Sequence, residues 1–382
     1  MRIDPARAPL DETLPEPSGA AAMLGVDLGA LVANWRLLAA QGGGAECAAV
    51  VKAEAYGLGA EPVTRALAAA GCRIFFVANA AEGERIRAVA PRAIVYVLEG
   101  LPRGGARVLA AARLRPVLAA LEEIREWGAF GRSVGRRLPA ALQLDTGMNR
   151  LGLSPRDAPA AATAAAEDLE LTLVLSHFVC AQWPEHPRNA GQIAAFAEAM
   201  RVFPGVSGSL CNSSGVFLPQ KPHHELLRPG YALYGGNPTP SAKNPMRPVV
   251  RLDARILAVR EIAAGESVGY DGVWIASRPT RLATLGVGYG DGLPTGMSSA
   301  SGRPGAEAII GGYRCPLVGR VSMDFVMLDV TDAPEHVARR GATAELLGDT
   351  IEVDEMAARC GTIGYEILTR LGRRYERRYL EA

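Results

Sequence analysis

The sequence predicts an α/β protein: a (β/α)8 TIM barrel followed by a mostly β C-terminal domain. Three observations predict it. Short apolar runs alternate with Ala-rich, helix-length stretches from about residue 23 to residue 240. The texture changes at a Pro/Asn/Ser linker, NPTPSAKNP (237–245). Polar and glycine residues cluster just where the apolar runs end.

The elements follow in order. A helix is expected near 28–40 (GALVANWRLLAA). Eight strands are expected at 47–52, 73–78, 93–98, 114–118, 140–145, 171–177, 208–212 and 230–235. Helix-length segments such as EPVTRALAAA and RNAGQIAAFAEAMRVF lie between most of them. Strands alternating with helices imply parallel pairing through crossovers. Eight such units over roughly 200 residues point to a closed barrel, with a doubly wound open sheet as the alternative. Beyond residue 240, Val- and Arg-rich runs alternate and are broken by Gly, the pattern of a β domain. One helix is expected near 354–360 (DEMAARC). The expected domains are therefore an N-terminal arm and lead-in (1–22), a barrel (23–240) and a β domain (241–382).

Bulk properties narrow the function. A chain of 382 residues exceeds one ordinary core. Lys plus Arg is 41 and Asp plus Glu is 40, so charge gives no pull toward nucleic acid or an anionic membrane. No apolar run approaches the roughly 18 residues of a membrane span. The start, MRIDPARAPLDETLPEPSG, lacks the apolar stretch of a secretory signal. Six scattered cysteines without a CxxC pair read as reduced thiols of a cytoplasmic protein. No Cys/His cluster has metal spacing, and His223–His224 reads as a surface pair in a Pro-flanked loop.

The C-terminal rim of a barrel is where active sites are built. Lys52 ends the first predicted strand, Asp145 the fifth, His177 the sixth, and Asn212 with Ser213 the seventh. Lys52 follows the apolar run AAVV. Desolvation there favours a neutral, nucleophilic amine; the plainer alternative is a structural pair with Glu54. Asn212, Ser213 and the Arg228–Tyr231 segment offer hydroxyls and backbone N–H groups suited to a phosphate dianion, or else ordinary turns. His177 is a rim base or a core histidine, and Asp145–Arg150 an active loop or a strand exit.

Nine motifs in series carry a resemblance: VVKAEAYGLG, LDTGMNRLG, SHF, NSSG, RPGYALYG, VGYDG, GVGYGDG, VGRVSMD and GTIGYEIL. The chain resembles bacterial alanine racemases from about residue 23 to its C-terminus. The resemblance implies a pyridoxal 5'-phosphate enzyme that interconverts L- and D-alanine as a homodimer with shared active sites, supplying D-alanine for peptidoglycan. Lys52 matches the lysine that carries the cofactor. Tyr56, Ser213, Gly230, Tyr231 and Tyr365 match phosphate contacts, and Asn212 lies among them. Arg228 matches the arginine facing the pyridine nitrogen. Arg150 matches the residue shared by cofactor and substrate carboxylate. Tyr270 matches the second acid/base, given across the dimer, and His177 the residue that orients it. Met323 matches a substrate-binding loop supported by Asp324. Tyr289 lines the substrate entrance, with Trp274 a further gatekeeper. Gln143 departs from the family pattern. A carbamylated lysine often stands there to hold the arginine, so Arg150 needs another support.

Racemisation needs an acid/base on each face of the reacting carbon, which the resemblance assigns to Lys52 and Tyr270. Other readings are a racemase of broader specificity (serine or basic amino acids) and a decarboxylase on the same architecture. Arg228 argues against the decarboxylase, because such enzymes usually place an acid at the pyridine nitrogen. A non-catalytic carrier would lack the β domain.

Overall fold

In this computed structural model the described residues are 19–381. The expected N-terminal arm lies outside them as far as residue 18. The chain divides into two compact units. One is formed by residues 29–247. The other combines the described residues up to Leu28 with Pro248 onward.

The first strand, β1 (Ala22–Asp27), alternates buried and half-buried positions, as a strand packed on one face does. It belongs to the sheet of the second unit, so the boundary expected at residue 23 falls inside that strand. The helix Leu28–Gln41 follows where GALVANWRLLAA predicts one.

The barrel unit then runs through β2 (Glu46–Cys47), β3 (Ala49–Val50), β4 (Ile74–Val77), β5 (Ile94–Val97), β6 (Arg115–Leu118), β7 (Leu138–Gln143), β8 (Leu169–Leu175) and β9 (Gly208–Ser209). From β3 to β9 these form one parallel sheet in chain order. Val-, Ile- and Phe-rich runs suit strands buried on both faces; all four residues of IFFV in β4 are buried. The ring closes through β10 (Leu226–Leu227), which pairs parallel with β2. On its other side, Glu225 N donates to Gly208 O (3.2 Å) and Arg228 N to Cys211 O (2.9 Å).

Two expectations are corrected here. The segment 230–235 is not the eighth strand; Tyr231–Tyr234 is a 3-10 turn ended by Gly235 at φ 91°. The closing strand is the preceding Leu-Leu pair, cut short by Pro229, which has no N–H to continue a ladder. Nor is His223–His224 a surface pair. His223 is buried with its Nε2 3.0 Å from Val216 O, and His224 packs edge-on against Phe196.

The second unit contains β11 (Val250–Ile262), β12 (Ser267–Val268), β13 (Trp274–Ile275), β14 (Thr280–Leu285), β15 (Glu307–Ile310), β16 (Tyr313–Val318), β17 (Val326–Asp329), β18 (Thr343–Leu347) and β19 (Glu376–Leu380). The sheet order is β14-β17-β16-β15-β18-β11-β1-β19. The long β11 pairs with β18 through its first half and with β14 through its second, with irregularities in both registers. That double pairing closes a six-stranded ring. The helix expected near 354–360 is present as Val353–Cys360, and Gly364–Arg370 adds another.

All six cysteines are unpaired. Burial pushes the thiols of Cys72 and Cys211 up to about 12, so neither is a nucleophile at neutral pH. No described helix is long and apolar enough to cross a membrane.

Candidate active site

The rim of the barrel unit gathers the charged residues that the sequence singles out. Lys52 follows β3 after one intervening residue, Val51, and is half-buried. The four residues after it, Ala53 to Tyr56, have φ of 53°, 58°, 52° and 55°. They form one left-handed helical turn, built from residues that ordinarily avoid that region. Such a turn costs about 1–2 kcal/mol per residue, so the surroundings must impose it. Glu82 is the main clamp. Its carboxylate accepts from Ala53 N (2.8 Å) and Ala78 N (2.7 Å), the backbone just beyond β3 and β4. Asn79 caps the helix that carries Glu82. Arg85, one turn along, holds Glu54 (Nη2–Oε2 2.8 Å) and Glu61 (Nε–Oε1 2.6 Å).

The turn delivers Tyr56 into the barrel. It is buried, its ring 4.7 Å from that of Tyr234, and a methyl group on Gly230 would overlap its hydroxyl. Glycine at 230 is thus required by close approach rather than by backbone freedom. Ser213 completes the corner: its buried Oγ accepts from Gly230 N (3.0 Å) and Ala232 N (3.1 Å). Tyr56, Ser213 and the Gly230–Ala232 backbone thus form one hydroxyl-lined corner.

The same rim holds the cations Lys52, Arg150 and Arg228. Arg228 is 5% exposed and forms no ion pair among the described residues. It donates to Ser209 Oγ and Ser176 O and lies over the Phe76 ring. Burial brings its pKa down to about 10, so it stays charged at neutral pH. Burial, then the charge of Arg150, lowers Lys52, although Glu82 and Glu99 act the other way. His177 is brought down to about 3 by burial, then by Arg228, Arg150 and Lys52. It is a neutral imidazole with its Nε2 3.5 Å from Asn212 Nδ2.

Two supports for this rim carry no local signal in the sequence. Gln192, 3% exposed on the helix Pro187–Met200, donates to His177 O (2.9 Å) and Thr146 Oγ1 (3.1 Å) and accepts from Val179 N (2.9 Å). One amide thus ties the loop after β7 to the loop after β8. Glu82 is the other. Gln143, whose role the sequence leaves open, donates to Leu151 O (2.8 Å). It fixes the backbone next to Arg150 instead of the guanidinium itself. Gly152, at φ 126°, lets that loop fold back, since a Cβ there would lie 2.7 Å from Asp145 N.

The second unit carries the remaining predicted residues. Tyr270 follows Gly269 (φ 74°) and is 69% exposed. Its neighbour Asp271 pairs with Arg320 (2.9 Å). Tyr289 N donates to Ser322 O (3.0 Å) and Gly290 N to Met323 O (2.9 Å), so the GVGYGDG and VGRVSMD segments lie backbone to backbone. Gly288 permits this, because any side chain there would strike both carbonyls. Asp324 is held by Arg374 (2.8 Å), which also reaches Asp291 (3.2 Å). Arg374 is a further support that the sequence does not announce. Tyr270, Tyr289, Met323 and Tyr365 are all substantially exposed.

A barrel with this rim belongs to the class of α/β-barrel enzymes that work at the C-terminal ends of their strands. Comparison with known proteins narrows the class. The alanine racemase N-terminal domain model matches residues 26–238 and the C-terminal domain model residues 249–379. An alanine racemase of Methylobacterium sp. (strain 4-46) is 56% identical over 97% of this chain and 100% of its own. Catabolic and biosynthetic alanine racemases of Agrobacterium fabrum are each 44% identical, over 95% and 94% of this chain and 93% and 94% of their own. The crystal structure of alanine racemase from Bartonella henselae with covalently bound pyridoxal phosphate aligns with a TM-score of 0.90 at 36% identity, covering 94% of this chain and all of that one. The chain belongs to the alanine racemase family.

Proposed function

We propose that the protein interconverts L- and D-alanine with pyridoxal 5'-phosphate attached at Lys52, and that each active site takes Tyr270 from a partner subunit. The observation that carries this is the convergence at one rim of Lys52, Arg150, Arg228 and a neutral His177, beside a hydroxyl cradle. The donor set fits the cofactor. Tyr56, Ser213, Gly230 and Tyr231, with Tyr365, would hold the phosphate, Asn212 would support them, and Arg228 would face the ring nitrogen. When bound, the cofactor supplies the electron sink that stabilises negative charge on the substrate α-carbon.

The chain's own residues then choose the outcome. The depressed Lys52 amine takes or returns a proton on one face. The Tyr270 phenol of the partner subunit does so on the other. An unperturbed phenol has a pKa of roughly 10 and is a poor base at neutral pH. His177, being neutral, orients the phenol by hydrogen bonding; the arginines supply the charge that favours phenolate. Arg228, which stays protonated, would donate to the ring nitrogen and so would disfavour its protonation and transamination. Arg150, with the Met323 loop steadied by Asp324, binds the substrate carboxylate. Tyr289 narrows the entrance.

The product D-alanine serves peptidoglycan synthesis. Equal identity to catabolic and biosynthetic relatives makes a growth test decisive: deletion is expected to produce D-alanine dependence, and growth without it would contradict the role. The activity is tested by chiral chromatography of cofactor-loaded protein against a panel of L-amino acids. Alanine is expected to turn over fastest. Faster conversion of serine or a basic amino acid would replace alanine as the substrate.

A further inference from the structure

The other end of the barrel holds a second concentration of positive charge. A cavity of about 410 Å³ opens where β5, β6 and β7 begin, away from the rim. Arg87, Arg92, Arg113, Arg115 and Arg136 line it, and no Asp or Glu does. None of the five forms an ion pair with a carboxylate among the described residues.

Part of this lining is rigidly built. Arg87 donates to Ala112 O (3.2 Å), Pro91 O (3.1 Å), Ala93 O (2.6 Å) and Arg113 O (2.8 Å), which fixes its position but leaves its charge uncancelled. Arg115 lies over the Tyr96 ring, 5.7 Å from its centroid, and donates to its hydroxyl (3.3 Å). Arg92, Arg113 and Arg136 are exposed arms around these two. The wall also contains Trp127, 1% exposed, whose indole N–H has no acceptor. The like charges gather without a counter-charge: burial and then the charges of Arg113 and Arg115 depress Arg87.

We propose that this cavity is a binding site for a small, multiply charged phosphoryl compound. Guanidinium forks match phosphoryl oxygens bidentately. The volume falls within the range of small-molecule sites and exceeds what a single inorganic phosphate needs. The rim cradle serves one phosphate through hydroxyls and backbone N–H groups; the floor offers full charges, which suit a diphosphate.

The test is calorimetric titration of full-length, cofactor-loaded protein with inorganic pyrophosphate, the cofactor filling the rim cradle. Saturable binding is expected at about 0.15 M salt, where loose surface attraction is screened. The variant R92Q/R113Q/R136Q is expected to bind at least about tenfold more weakly, from lost charge-assisted contacts, while keeping racemase activity. A control, R156Q/R188Q/R201Q, is expected to bind as the unaltered protein does. Absence of saturable binding, or equal weakening in both variants, overturns the proposal. Citrate binding as tight as pyrophosphate overturns the phosphoryl assignment.

Discussion

Lys52 and Tyr270, the two residues assigned to the proton transfers, stand in opposite surroundings. Lys52 is half-buried, follows a buried strand, and leads into a left-handed turn that Glu82, Arg85 and Asn79 hold in place. Tyr270 is 69% exposed in its own chain. Under the proposed assignment, one chain would supply the lysine half of the chemistry and a partner the tyrosine half. A phenol that must act as a base at neutral pH needs cations around it, and the cations gather at the barrel rim. The proposed site, shared between subunits, would leave this contrast in a single chain.

The largest expected effect breaks the lysine half. Lys52→Ala should remove the covalently attached cofactor's absorbance band and lower turnover by on the order of 10⁴-fold or more; a surviving band would remove the central assignment. Tyr270→Phe should lower racemisation in both directions by on the order of 10²–10³-fold while the band persists. Full activity in either direction would break the comparison. Gly230→Ala sharpens it on the cofactor side. The added methyl displaces Tyr56, and overpacking of this kind costs typically 1–3 kcal/mol, so cofactor should dissociate about tenfold more readily in dialysis against buffer.

A pH effect follows from His177. Its pKa falls from 6.5 in the unfolded chain to about 3 in the fold. Between those values only the unfolded chain binds the proton. Stability is therefore full above the upper value and is lost as pH falls through the window. Urea midpoints measured from neutral to mildly acidic pH should fall less steeply in His177→Gln; an unchanged slope would contradict a neutral His177 imidazole. The smallest effect belongs to Gln143→Leu. It removes one hydrogen bond next to Arg150, worth about 1 kcal/mol. KM for alanine should rise a few-fold with kcat nearly unchanged.

Much of this was legible in the sequence, for physical reasons. Apolar runs such as RIFFVA produce buried parallel strands, and the rim position of Lys52, His177 and Ser213 follows from where those runs end. GYALYG misled because aromatic and aliphatic residues favour strands, whereas Gly230 and Gly235 bracket a tight turn; the real closing strand is too short to show a period. The strand AMLGVD was not among those expected, because its alternation shows only in the burial of the folded sheet. The left-handed turn was invisible, since Ala, Glu and Tyr have no intrinsic preference for it. Glu82, Gln192 and Arg374 act over long sequence separations, so no local motif announces them.

The most direct measurement mixes Lys52→Ala with Tyr270→Phe protein, each inactive alone, after verified subunit exchange. A statistical mixture makes half the dimers mixed, each with one intact site of two, so about one quarter of wild-type activity should return. No recovery in a mixture shown to contain mixed dimers would contradict a site built from Lys52 of one chain and Tyr270 of another.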